Sequence, residues 1–205
     1  MTTVSDFVYT NKNSLSKDFC REIINLYEKE QKMYPGITAR GVDKNIKRSM
    51  DFQIDTGDFN TWNEINKCLK TEVIKNLEQY LLLINQEYCN VNIKLSTTCD
   101  FKFFEKKKLS FNCFMVQRYD VGKGRYVYHD DEVVEKERRR ILTYLFYLND
   151  VVEGGETDIC NSKFIIKPEC GKLLIFPANW CYPHAGNIPV SERKYIVTGW
   201  IYVEN

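Results

Sequence analysis

Histidine is the scarcest functional residue of this 205-residue chain, with two copies, and proline (five) and glycine (ten) are also sparse. So little proline and glycine leaves no low-complexity linker, and no stretch is polar enough to stay unfolded. Eight cysteines (20, 68, 89, 99, 113, 160, 170 and 181) contain no C-x-x-C pair, which argues against a zinc site built on paired thiolates. Their scatter, often at apolar positions, reads as free and buried thiols. No apolar run reaches the ~18 residues a membrane helix needs. The start, MTTVSDFVYTNKN, lacks the basic and apolar regions of a secretory signal. A cytoplasmic, soluble protein is therefore expected. A formal charge of +1 says little about partners.

What the chain does have is a 43% hydrophobic composition with 12 Phe and 13 Tyr, enough for one substantial core. Ser16 is a plausible N-cap for KDFCREIINLYEKEQK, where Phe19, Ile23, Leu26 and Tyr27 recur at helical spacing. A second amphipathic helix starts at TWNE, with Thr61 and Glu64 as a capping box, and continues through Leu69, Val73, Leu77 and Ile84. Between them SMDFQI reads as an edge strand, and the charged segment Gly41–Ile54 as a hairpin or lid. From about residue 98 the period changes to two, in short runs such as FNCFMVQRYD, RILTYLFYLND, GKLLIFP and KYIVTGWIYV, separated by turn residues. This pattern predicts one mainly β (α+β) domain over 1–205. Residues 98–205 form a jelly roll, and 1–97 supply two packing helices and the lid.

The two histidines carry the chemistry. In YHDDEV a strand alternates its side chains, so His129 and Asp131 share a face and Asp130 points away. An imidazole and a carboxylate projecting together are two legs of a two-histidine, one-carboxylate triad, which suits non-haem Fe(II). His184, in CYPHAGNIP, is the one remaining histidine and lies three strand runs later. Ten residues on, KYIVTGW places Lys194, Ile196, Thr198 and Trp200 on one face. An ammonium pointing into an apolar barrel needs an anionic partner, and a dicarboxylate would serve. The basic runs 105–108 and 135–140 contain acids and flank strands, so they read as solvated loop ends rather than phosphate contacts.

In order, H-x-D, T-x-x-x-Y-L-N, G-G-E-T, P-x-x-G-x-x-x-x-F, then His and a lysine ten residues on, resemble the Fe(II)/2-oxoglutarate-dependent dioxygenases across residues 111–203. The prolyl 4-hydroxylase branch is the most similar. The resemblance implies a double-stranded β-helix in which His129, Asp131 and His184 hold Fe(II). Lys194 and Tyr147 would bind the distal carboxylate of 2-oxoglutarate, Thr198 and Trp200 would line the pocket, and Tyr119 and Tyr126 would either line it or serve as buried core tyrosines. It also implies use of O2, possible support by ascorbate as reductant, and release of succinate and CO2. The expected substrate is a prolyl residue of a protein or peptide, with no nucleic acid or membrane partner. A free amino acid or other small molecule as substrate, or a non-catalytic cupin-like binding module, are the rival readings. Lysine in place of the arginine of the hypoxia-type enzymes fits the collagen-type and many microbial members.

Overall fold

A computed structural model describes residues 2–54, 61–89, 109–111 and 113–204. The chain opens with β1 (Thr2–Ser5) and β2 (Val8–Asn11), then α1 (Lys17–Tyr27), β3 (Tyr34–Pro35), β4 (Lys47–Arg48), β5 (Met50–Gln53) and α2 (Trp62–Ile84). Strands β6 (Leu109–Phe111), β7 (Met115–Tyr119), β8 (Arg125–His129), β9 (Arg138–Tyr147) and β10 (Thr157–Ile159) follow. The chain continues with β11 (Phe164–Ile166), β12 (Leu173–Pro177), β13 (His184–Gly186) and β14 (Lys194–Glu204).

Among the described residues the strands form two antiparallel sheets. The larger runs β1-β2-β12-β9-β14-β7-β5-β3, with β6 also on β14; the smaller runs β11-β10-β13-β8-β4. Consecutive strands repeatedly switch sheets, the connectivity of a jelly roll. Both helices cover the outer face of the large sheet. Ile23 and Tyr27 of α1 and Trp62, Leu69, Val73 and Leu77 of α2 pack with Tyr144, Phe146, Ile175, Val197 and Ile201. Gly199 leaves room for its cross-strand partner Tyr144 to lie over β14 beneath the helices, since a Cβ there would lie 2.1 Å from the Tyr144 hydroxyl. The inner face carries a second cluster that includes Tyr119, Leu145, Tyr147, Phe176 and Ile196.

Several expectations change. Ser16 does cap α1, accepting from the Phe19 N–H at 3.2 Å, but α1 ends at Tyr27 because Glu28–Lys32 offer no apolar side chain to bury. No capping box forms at Thr61, whose backbone is already helical (φ −55°, ψ −27°) and whose hydroxyl makes no cap bond. The six cysteines whose side chains are described (20, 68, 113, 160, 170 and 181) are free, but of these Cys20 alone is buried, and Cys68, Cys113 and Cys181 are exposed. Cys99 and the run 105–108 lie outside the described residues. The segment expected to be a lid is largely wall, since β4 pairs with β8 in the small sheet and β5 with β7 in the large one. No helix of the described residues is long and apolar enough to cross a membrane.

Candidate metal centre and cosubstrate cavity

Between the two sheets lies a cavity of about 360 Å³. Three of its lining side chains come from three places in the fold. His129 ends β8 and His184 begins β13, and these residues are direct cross-strand partners. Asp131 follows β8, tied by its own N–H to the Ala178 carbonyl at 3.1 Å. The ligand atoms of His129, Asp131 and His184 all lie within 4.8 Å of one another. His129 Nε2 is 3.7 Å from Asp131 Oδ1, and His184 Nε2 is 3.5 Å from Oδ2. Each imidazole places Nδ1 on a backbone carbonyl, Val127 at 2.8 Å and Tyr182 at 3.2 Å, which leaves Nε2 turned toward the carboxylate. Thr143 donates its hydroxyl to Asp131 Oδ2 at 2.8 Å. Asp130 is exposed and caps its own turn by accepting from the Glu132 N–H.

The electrostatics suit metal ligation. Burial, then the neighbouring His184, lowers the His129 pKa to about 4, so this ring is neutral at neutral pH, the form that ligates. Burial alone would raise the Asp131 carboxyl, but the two histidines and the Thr143 hydrogen bond hold it below its ordinary value. The Tyr126 ring stacks on His129, centroids 3.4 Å apart and 17° from parallel.

Lys194 begins β14 and is 2% exposed. Among the described residues its ammonium has no hydrogen bond or ion pair. It lies over the rings of Tyr119 (5.4 Å) and Tyr147 (5.6 Å). Burial lowers its pKa to about 7, with Glu156 acting weakly the other way. Ile196, Thr198 and Trp200 line the same cavity, as alternation along β14 requires. Trp200 is the least buried of the four, and its indole N–H faces the Asp131 carboxylate, which it helps to hold ionised. The Thr198 hydroxyl is spent on the Tyr144 carbonyl at 3.1 Å. Tyr147 is fully buried and donates to Thr157 Oγ1 at 2.7 Å, and Thr157 in turn faces the cavity. Tyr119 donates to Gln117 Oε1 at 2.8 Å. Arg193, one residue before Lys194, is exposed and pairs with Asp120 at 3.3 Å.

Sequence reasoning missed Arg140, placed in a run expected to be solvated. It lines the cavity, stacks on Trp200 at 3.9 Å and donates to the Tyr202 hydroxyl at 2.8 Å. Its parity is opposite to that of Thr143. The β9–β14 pairing slips between Ile201 and Tyr202, and that irregularity turns Arg140 inward. The buried Lys47, Ser49, Asp51 and Gln117 were also missed, and no local spacing marks them.

Fold and site together define a double-stranded β-helix carrying a two-histidine, one-carboxylate cluster beside a buried ammonium that has no ion partner among the described residues. Residues 114–202 match the family model described as the 2OG-Fe(II) oxygenase superfamily, which bears out the resemblance seen in the sequence. A putative prolyl 4-hydroxylase of Acanthamoeba polyphaga mimivirus is 36% identical over 77 residues, covering 34% of this chain and 32% of that protein. The matched stretch thus spans about a third of that relative. Three solved structures share the fold. The viral collagen prolyl hydroxylase of Paramecium bursaria Chlorella virus-1, in its 2-oxoglutarate complex, has a TM-score of 0.64 at 20% identity, covering 97% of each chain. A Pseudomonas putida prolyl-4-hydroxylase gives 0.63 at 19%, covering 95% of this chain and 91% of that one. A Trichoplax adhaerens prolyl hydroxylase, in complex with a hypoxia inducible factor peptide fragment, gives 0.70 at 22%, covering 96% and 84%.

The family's Fe(II) and 2-oxoglutarate fit the residues present. Two imidazole nitrogens and a carboxylate converge with both imidazole Nδ1 atoms already on backbone carbonyls, and an ammonium without an ion partner among the described residues sits in the same cavity.

Proposed function

We propose that this protein is an Fe(II)- and 2-oxoglutarate-dependent hydroxylase acting on a prolyl residue of a protein or peptide. The observation that carries the cofactor chemistry is the pairing, in one cavity, of the His129–Asp131–His184 cluster with the unpartnered Lys194 ammonium. In this reading the three side chains hold Fe(II), and Lys194 meets the distal carboxylate of 2-oxoglutarate. The Tyr147 hydroxyl donates to Thr157, which leaves the Thr157 hydroxyl proton free to meet that carboxylate. Bound Fe(II) supplies the redox chemistry by which O2 and 2-oxoglutarate give succinate, CO2 and a hydroxylated substrate, with ascorbate able to restore an oxidised metal.

The chain's own residues orient and shield this chemistry. The Val127 and Tyr182 carbonyls fix both imidazoles, Thr143 fixes the carboxylate, and the Tyr126 ring limits rotation of His129. Leu145 and Ile196 line the cavity with apolar surface that excludes water. Arg140 lies against Trp200 at the less buried end of this wall, where a substrate would approach. The prolyl peptide is favoured because the relatives that share the fold are prolyl hydroxylases.

The test is to incubate the protein with Fe(II), 2-oxoglutarate, O2 and proline-rich peptides, then measure succinate and the peptide mass. Succinate formation with a one-oxygen gain on proline is expected. Succinate coupled to oxidation of free amino acids, but of no peptide, would move the substrate to a small molecule. Metal and 2-oxoglutarate binding without any turnover would make the protein a binding module.

A further inference from the structure

We infer that Asp51 is a positioning residue for both halves of the site, an inference that rests on the reading above for what each half binds. Asp51 lies on β5, is 1% exposed, and gathers three donors. Its Oδ2 accepts from Lys47 Nζ at 2.7 Å and from Gln117 Nε2 at 3.1 Å, and its Oδ1 accepts from the Ser49 hydroxyl at 2.7 Å. Lys47 is 4% exposed and belongs to the small sheet, whereas Asp51 and Gln117 belong to the large one. One carboxylate therefore ties the two sheets together at the cavity wall.

Each donor leads to a site residue. Lys47 is the cross-strand partner of Tyr126, with its ammonium 5.3 Å from the ring centroid, and that ring stacks on His129. Gln117 leads to Tyr119, whose ring lies beneath the Lys194 ammonium. A carboxylate only accepts, so the Gln117 amide must turn its NH2 to Asp51 and its carbonyl to Tyr119. The single hydroxyl proton of Tyr119 is thereby committed, and its ring is fixed where it abuts Lys194. Gly36 keeps space for this assembly. A Cβ there would lie 2.3 Å from Ser49 Oγ and 2.9 Å from Lys47 Cδ and Cε.

A buried ion pair is weak evidence for stability, because apolar replacement of both partners is often neutral. Its place between two site residues assigns it the role of orienting them. Without Asp51, Lys47 becomes an uncompensated ammonium near the metal cluster, and Gln117 is free to invert and release Tyr119.

The experiment compares the full-length wild type, Asp51→Asn and the double variant Lys47→Met/Asp51→Leu. On each preparation the thermal midpoint, Mn(II) affinity and 2-oxoglutarate affinity of the Mn(II)-loaded protein are measured. Asp51→Asn is expected to weaken 2-oxoglutarate about tenfold, the scale of one well-placed hydrogen bond, and Mn(II) roughly threefold or more through the exposed charge of Lys47. The double variant should recover the thermal midpoint and Mn(II) affinity, yet leave 2-oxoglutarate weak, because leucine cannot orient Gln117. Recovery of all three together would reduce Asp51 to a structural role and overturn the inference, as would unchanged binding of both ligands by Asp51→Asn. If the wild type binds Mn(II) but not 2-oxoglutarate, the cosubstrate reading fails by itself. The Mn(II) loss in Asp51→Asn and its recovery in the double variant then still decide whether Asp51 governs the metal half.

Discussion

The two faces of the large sheet are built from the same strands and do opposite work. On β14, Tyr195, Val197 and Ile201 point outward to the helices, while Lys194, Ile196, Thr198 and Trp200 point into the cavity. On β9, Tyr144 and Phe146 face out, and Thr143, Leu145 and Tyr147 face in. The outer face holds aliphatic and aromatic groups whose contribution is burial. The inner face keeps a buried ammonium that burial disfavours, and the Thr143 hydroxyl bonded to the Asp131 carboxylate. Apolar burial dominates the outer side, whereas the inner side combines a smaller apolar cluster with the candidate binding groups, one residue apart along the chain.

This contrast can be broken by substitution. The largest effects belong to the metal cluster, where His184→Ala and Asp131→Ala should each abolish stoichiometric Fe(II) binding, read by metal content after anaerobic loading. Asp130→Ala, on the exposed turn, should keep it. Next is the outer face. Phe146→Ala should cost about 3 to 5 kcal/mol in denaturant unfolding, as for other buried phenylalanines, while the folded fraction still binds metal. Lys194→Met should reverse that pattern, weakening 2-oxoglutarate about a hundredfold without loss of stability, and Arg193→Ala should change neither. Tyr147→Phe removes one hydroxyl and should cost about 1 kcal/mol or somewhat more of cosubstrate binding.

The pH dependence sharpens the same point. The Lys194 pKa is lowered from 10.5 to about 7 in the folded protein. Between these values the unfolded chain binds a proton that the folded protein does not, so this group makes stability rise with pH from about 7 toward 10.5. An anion held by Lys194 needs the ammonium, so 2-oxoglutarate binding above pH 7 should take up a proton. Calorimetry in buffers of different ionisation enthalpy reads that uptake. In Lys194→Met both the uptake and this component of the stability slope should vanish.

The outer face was legible in the sequence because apolar spacing of 3.6 or 2 residues is a local signal. So were His129 and the inward series from Lys194, which follow from strand parity; Asp131 joins His129 as expected, but from beyond the strand, since β8 ends at His129 and the Asp131 N–H is held by the Ala178 carbonyl instead. The parts that escaped are those in which parity is reset or partners are distant. The β9–β14 irregularity turned Arg140 inward, although its neighbours in the run 135–140 are mostly exposed. Strand β13, three residues long and preceded by Pro183, is too short for any period, so the cross-strand pairing of His184 with His129 could not be read. The N-terminal hairpin of β1 and β2 turns through Asp6 and Phe7 at positive φ, without the glycine that marks such turns. The Lys47–Asp51–Gln117 network depends on a hydrogen bond between residues 66 positions apart, and only folding brings them together.

The central claim is that the inner face binds a dicarboxylate through Lys194 beside a three-residue metal cluster. The most direct measurement is anaerobic titration of 2-oxoglutarate into the Fe(II)-loaded protein, following the metal-to-ligand absorption band, for wild type, Lys194→Met and Arg193→Ala. The account predicts a saturable band in wild type and Arg193→Ala at similar concentrations, and in Lys194→Met at about a hundredfold higher concentration. A band lost in Arg193→Ala and kept in Lys194→Met, or no band in any of the three despite bound Fe(II), would contradict it.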